Sequence, residues 1–110
     1  FVTTKDYAVA LGTKPSVTSV QPADGTLLYW NAAAALQGTA VDAQSDPIEY
    51  EILVDGQAVK AWSAQPSFTW TPPSSAAGLH TVEVRARDAF GDQDAKQSEV
   101  LVIRQPVSHP

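Results

Sequence analysis

The sequence predicts an all-β domain, a sandwich of about seven antiparallel strands, on the strength of three observations. Short runs rich in β-branched and aromatic residues recur along the chain, clusters of Pro, Gly, Asn, Asp and Ser separate them, and long amphipathic helical patterns are missing. At 110 residues, 44% apolar and 17% charged, the chain is long and apolar enough to close one hydrophobic core.

Residues 1–14 alternate only weakly and run into Lys14-Pro15, so they read as an N-terminal arm or linker, and the sandwich is expected over 15–104. Residues 17–20 form an edge strand stopped by Pro22, residues 27–30 a further short strand, and the alanines 32–35 are compatible with a single helical turn. Leu36, Gly38 and Ala40 lie on one face of a strand ending near Asp42. In the run 48–54, Ile48, Tyr50, Ile52 and Val54 share one face and Glu49 and Glu51 point to water. Asp55-Gly56 comes next, and a second run begins at Ala58, which is the signature of a tight hairpin. Phe68 and Trp70 share a face in 67–71, and Pro72-Pro73 ends that strand because neither can donate to a ladder. Residues 79–87 place Val82, Val84 and Ala86 inward and Thr81, Glu83, Arg85 and Arg87 outward. The apolar run Val100, Leu101, Val102, Ile103 leaves the core-facing parity of the last strand open, and residues 105–110, with two prolines, read as a C-terminal linker. Tyr50, Ile52, Phe68, Trp70, Val82 and Val84 are the expected core.

Two segments carry a family resemblance. One runs Gly38-Thr39-Ala40-Val41-Asp42 and Asp46-Pro47-Ile48-Glu49-Tyr50-Glu51-Ile52, with a Val-Asp-Gly hairpin after it; the other is Gly78-Leu79-His80-Thr81-Val82-Glu83-Val84-Arg85-Ala86-Arg87-Asp88-Ala89-Phe90-Gly91. Together they resemble the immunoglobulin-like modules of bacterial surface and secreted proteins, a group with fibronectin type III-like, PKD-like and cadherin-like members. The resemblance covers roughly 16–104. It lacks the Trp-Asp-Phe-Gly-Asp-like stretch of PKD modules and the Cys…Trp…Cys spacing of antibody domains. It implies an immunoglobulin-like β-sandwich and an extracytoplasmic location, whether secreted, periplasmic or at the cell surface. The function it implies is that of a non-catalytic spacer or interaction module, with neighbouring domains of the same chain, another protein or a glycan as partners. The alternative is a calcium- or carbohydrate-binding module of an adhesin, a sensor ectodomain or a polysaccharide-degrading enzyme.

Charge and composition exclude several classes. Twelve acidic against seven basic side chains give a net charge of −5, and Arg85-x-Arg87 is the densest basic cluster, so nucleic acid and anionic membranes are not expected partners. No apolar run approaches the ~20 residues of a membrane span, so no membrane insertion is expected. Cysteine is absent, which removes disulfides, thiolate catalysis and Cys-ligated zinc. A start at Phe1 without methionine reads as a piece of a processed or longer protein.

Two constellations are candidate sites. Asp42 and Asp46 flank one loop and Asp88, Asp92 and Asp94 crowd another; in an immunoglobulin-like sandwich both loops emerge at the same pole. Calcium takes six to eight oxygens from such carboxylates and loop carbonyls, whereas the plain alternative is that Asp forms turns by accepting backbone N–H bonds. No cofactor is expected, with calcium at this pole the one alternative. Trp30 and Trp62, with Tyr29 nearby, are the candidate glycan platform, since Trp70 and Tyr50 alternate into the core. Catalysis is not expected: His80 at a strand start and His109 in the tail are the only histidines, and Glu49 and Glu51 point away from a flat sheet.

Overall fold

Alternation and turn chemistry convert the sequence into eight strands and one short 3-10 turn in the computed structural model, which describes residues 14–42 and 47–104. The strands are β1 (Ser16–Gln21), β2 (Thr26–Tyr29), β3 (Ala34–Val41), β4 (Glu49–Val54), β5 (Gln57–Ser63), β6 (Ser67–Trp70), β7 (Gly78–Arg87) and β8 (Gln93–Ile103); the 3-10 turn is Ser74–Ala76. They form two sheets, one of three strands in the order β1-β3-β6 and one of five in the order β2-β8-β7-β4-β5. This is the all-β, immunoglobulin-like sandwich expected, with one strand more than about seven. The expected arm apart from Lys14, the expected linker 105–110, Asp46 and His109 lie outside the described residues.

One pairing departs from the antiparallel pattern: β2 runs parallel to β8, Thr26 opposite Val100 through Tyr29 opposite Ile103. The cause is at Pro22, where the chain leaves the three-stranded sheet after β1 and joins the edge of the five-stranded one without reversing. The alanines 32–35 form no helical turn. Asn31 turns the chain at φ 60°, and Ala34 and Ala35 open β3.

The β4–β5 hairpin is as expected, and its turn residues explain it. Asp55 and Gly56 have φ of 53° and 83°, the paired left-handed conformations that a two-residue turn between twisted strands requires. Strand parity then sets the core. Leu36, Ile52, Val82, Val84, Ala86, Val100 and Val102 are at most 1% exposed, which settles the last strand: Val100 and Val102 face inward, Leu101 and Ile103 outward. Tyr50, Phe68 and Trp70 are half-buried and pack against this cluster from its margin, so of the expected core only Ile52, Val82 and Val84 sit at its centre. Val17 and Val20 both reach the core although they are three residues apart, because the β1–β3 register shifts between Val17 and Ser19.

The two sheets come into tight contact at Gly38. A Cβ built on Gly38 would lie 2.3 Å from Val84 Cγ1, so β3 can cross β7 only where one partner has no side chain. Gly38→Ala should therefore destabilise the fold by about 1–3 kcal/mol in urea unfolding, as overpacking does. A second substitution, Val84→Ala, should recover part of the loss; equal stability of Gly38→Ala and the parent would refute the contact.

Candidate functional site

The register brings the ends of β3 and β7 and the starts of β1, β4 and β8 to one pole: Ser16 pairs with Val41, Glu49 with Arg87, and Ala86 with Asp94. Asp42, Asp88, Asp92 and Asp94 therefore do share a pole. Their carboxylates have divergent tasks. Asp88, 6% exposed, closes the β7–β8 loop on itself, its Oδ1 accepting the N–H groups of Phe90 at 2.9 Å and Asp92 at 3.0 Å. Its backbone adds two more bonds, with its N–H donating to Asp92 O and its carbonyl accepting from Gly91 N–H. Asp94 Oδ2 accepts the Val17 N–H at 2.8 Å, and Lys14 Nζ stands 3.7 Å from Oδ1, so this side chain ties the start of β1 to β8. The Val17 bond, helped by the Ala95 N–H and Lys14, holds the Asp94 carboxyl below the usual carboxylate range. Among the described residues no three His, Asp or Glu side chains form a group able to hold a metal.

A cleft of about 460 Å³ opens at this pole, lined by Pro47, Glu49, Arg87, Asp88, Ala89 and Gly91. Two of its charged groups hold each other: Arg87 Nη2 is 2.8 Å from Glu49 Oε1, and the guanidinium lies 4.3 Å from the centroid of the Trp62 ring. The buried Oδ2 of Asp88 has no hydrogen-bond partner among the described residues.

The Arg87 stack also bears on the expected glycan platform, which the structure does not form. Trp62 lies on β5 at one edge of the five-stranded sheet with a cation over its face, while Trp30 comes just after β2 at the opposite edge and packs against the core. The two indoles are separated by the whole width of the sheet. Neither can join the other in a row of stacking rings.

Two features have no clear signal in the sequence. On the outer face of the five-stranded sheet, Arg85 Nε donates to Glu83 Oε2 at 2.7 Å and Gln97 Nε2 to Glu83 Oε1 at 3.2 Å, with Glu51 3.5 Å from Arg85. The outward parity of Glu49, Glu51, Arg85 and Arg87 points to a charged face, but only the register pairs Glu51 with Arg85 and Glu49 with Arg87. Further toward the opposite pole the same face turns apolar. Leu101 has Leu27 and Leu79 as its lateral neighbours, and these two are 51% and 64% exposed. His80 has Asp55 at one ring nitrogen and the Ala76 carbonyl at the other, so both nitrogens already face acceptors.

Comparison with known proteins gives this geometry its relatives. The family described as Bacterial Ig domain matches residues 15–84. Among curated proteins none matches the sequence. The fold is similar to the fibronectin(III)-like modules of Clostridium thermocellum CbhA, with a TM-score of 0.72, 22% identity, and 89% of this chain matched to 53% of that one. It is also similar to part of the Thermotoga petrophila endo-beta-1,4-mannanase (TM-score 0.63, 11% identity, 84% of this chain and 20% of that). Part of Bacteroides ovatus SGBP-B, solved with a mixed-linkage heptasaccharide, gives a TM-score of 0.62, 16% identity, and coverage of 84% and 25%. The chain thus spans about half of the first of these and a quarter or less of the others.

The role assigned to Asp94 has a direct check. Asp94→Ala should cost about 1.5–3 kcal/mol, the usual worth of a hydrogen bond to a charged group, and expose the Val17 amide to hydrogen exchange; Asp94→Asn, which keeps an acceptor, should cost less. Because the folded carboxyl is held below its unfolded value, its contribution is complete above the ordinary carboxylate pKa and disappears as pH falls through the lowered one. Urea midpoints taken down the acid limb should fall more steeply in the parent than in Asp94→Asn.

Proposed function

We propose, from the premise that this chain belongs to the bacterial Ig domain family, that it serves as a non-catalytic spacer and interaction module of a larger extracytoplasmic protein. The observation that carries this reading is the position of the ends of the fold. Lys14 and Pro15 enter at the pole of the Asp88 loop, and β8 leaves at the other after Ile103. The eleven residues of β8 cover about 35 Å at ~3.3 Å each, so the module would hold its two neighbours apart by roughly its own length. The proteins it resembles support a multidomain setting, since each is longer than this chain. Neighbouring domains are the partners proposed first. A net charge of −5 speaks against nucleic acid, and no described helix is long and apolar enough to cross a membrane.

The paired Glu49 and Arg87 and the enclosed His80 argue against a catalytic role, because groups already holding one another are poor proton donors and acceptors for a substrate. A second reading, a calcium-binding module, is favoured by the buried Oδ2 of Asp88, which lacks a donor among the described residues and borders the cleft. A carbohydrate-binding role has less support, since Arg87 covers the Trp62 face.

The spacer reading predicts that the purified chain passes unretarded through gels containing soluble β-glucan or mannan and releases no reducing sugar from either. Its melting temperature should be the same in millimolar calcium and in chelator. Retardation would move the reading to a glycan-binding module. A rise with calcium, abolished by Asp88→Asn, would establish the second reading by mass action on the folded state.

A further inference from the structure

His80 closes the core at the pole where β8 leaves. It points inward from β7, its ring edge meeting Trp70 of the facing sheet at 5.6 Å between centroids, and its side chain is 16% exposed. Both ring nitrogens meet acceptors. Nδ1 lies 2.5 Å from Asp55 Oδ2 in the β4–β5 turn, and Nε2 faces the Ala76 carbonyl in the 3-10 turn. A neutral imidazole carries one N–H and satisfies one acceptor, whereas the imidazolium carries two and satisfies both.

We propose that His80 is a pH-operated latch: as the imidazolium it ties the 3-10 turn and the β4–β5 turn to β7, and on losing a proton it releases the 3-10 turn while holding Asp55. The direction of release comes from acceptor strength. A carboxylate is a stronger acceptor than a carbonyl for the one remaining N–H, so the proton stays on Nδ1 and the Nε2 lone pair is left facing the oxygen of Ala76. Asp55 is held on its other side by Thr81, whose N–H donates to Oδ1 at 2.9 Å, and it therefore keeps its place when the 3-10 turn goes.

The charges around the ring favour the closed latch. Partial burial pulls the His80 pKa down, but the hydrogen bond to Asp55, the one to Ala76 and the Asp55 charge together raise it above its ordinary value. Among the described residues Asp55 is the charged group that faces the ring. The 3-10 turn presents a neutral carbonyl, β6 the neutral Trp70, and β8 has Val100 opposite, while Glu83 and Glu99 belong to the outward parity of their strands. A raised histidine pKa means that the latch contributes fully below the unfolded value of ~6.5 and is lost as pH rises through the folded one. The latch does not depend on the chain being a spacer.

The test is an NMR titration of the whole chain carrying His109→Gln, from about pH 5 to 9, across the histidine range. The ring nitrogens of His80, the Ala76 carbonyl and the Thr81 amide are the reporters. A midpoint above that of free imidazole, with Ala76 shifting at the same midpoint and Thr81 staying protected from exchange, is expected; Asp55→Asn should lower the midpoint. A His80 midpoint at or below the ordinary value, or an Ala76 carbonyl that stays silent while His80 titrates, overturns the latch. Should Asp55→Asn fail to fold, the titration of the parent decides alone.

Discussion

The distance between the two sheets is set at a single crossing, Gly38 on β3 against Val84 on β7. Val84 is fully buried, and the missing side chain at Gly38 lets the backbone of one sheet rest on the methyl groups of the other. Everything around that crossing depends on the spacing. Leu36 and Ile52 fill the layer beside it, Val100 and Val102 extend it toward β2, and Trp70, Tyr50 and Phe68 seal its margins. A wider gap would leave voids that the aliphatic side chains at its centre are too short to fill, and interiors lose contact energy quickly when partners draw apart.

The acidic pole shows how one residue type serves several ends. Asp88 and Asp94 commit oxygens to backbone N–H groups, one shaping a loop and the other fastening a strand end, and in doing so they reduce the repulsion that a bare cluster would carry. At the opposite pole Asp55 does the same for Thr81 and adds His80. Much of the acidic character of the chain is thus built into its connections. On the open sheet face, by contrast, carboxylates of β4 meet guanidinium groups of β7 in cross-strand pairs, and Glu83 adds one within β7.

Legibility in the sequence tracked the physics of each element. Period-two alternation made β4 and β7 readable, and the Asp55-Gly56 turn was plain because few residues tolerate its dihedrals. Three features of the fold were not readable. The last strand has apolar residues on both parities, one set buried in the core and the other lying along an outer face, so alternation was silent. The alanines 32–35 carry no pattern at all, and Asn31 decides their course. The parallel β2–β8 pairing depends on which sheet edge the chain reaches after Pro22, a tertiary choice. Of the site, the shared pole was legible from strand order, but the assignment of each carboxylate was not, because it depends on fine differences of distance that no spacing encodes. The wide separation of Trp30 and Trp62 was equally hidden, since it depends on the order of strands across the sheet.

The parallel pairing has a mechanical corollary. The chain enters at one pole through β1 and departs at the other through β8, and β2, which keeps the direction of β1, lies beside β8 in the same direction. Tension drawn between the two ends meets the β1–β3 ladder first; once β1 is freed, it pulls β2 and β8 along their length in opposite senses, so the four residue pairs of their ladder share the load in shear. An antiparallel strand at that edge would be peeled one bond at a time. The short β2, four residues with a modest share of the core, is thereby a second clasp against stretching, behind the ladder of β1 with β3.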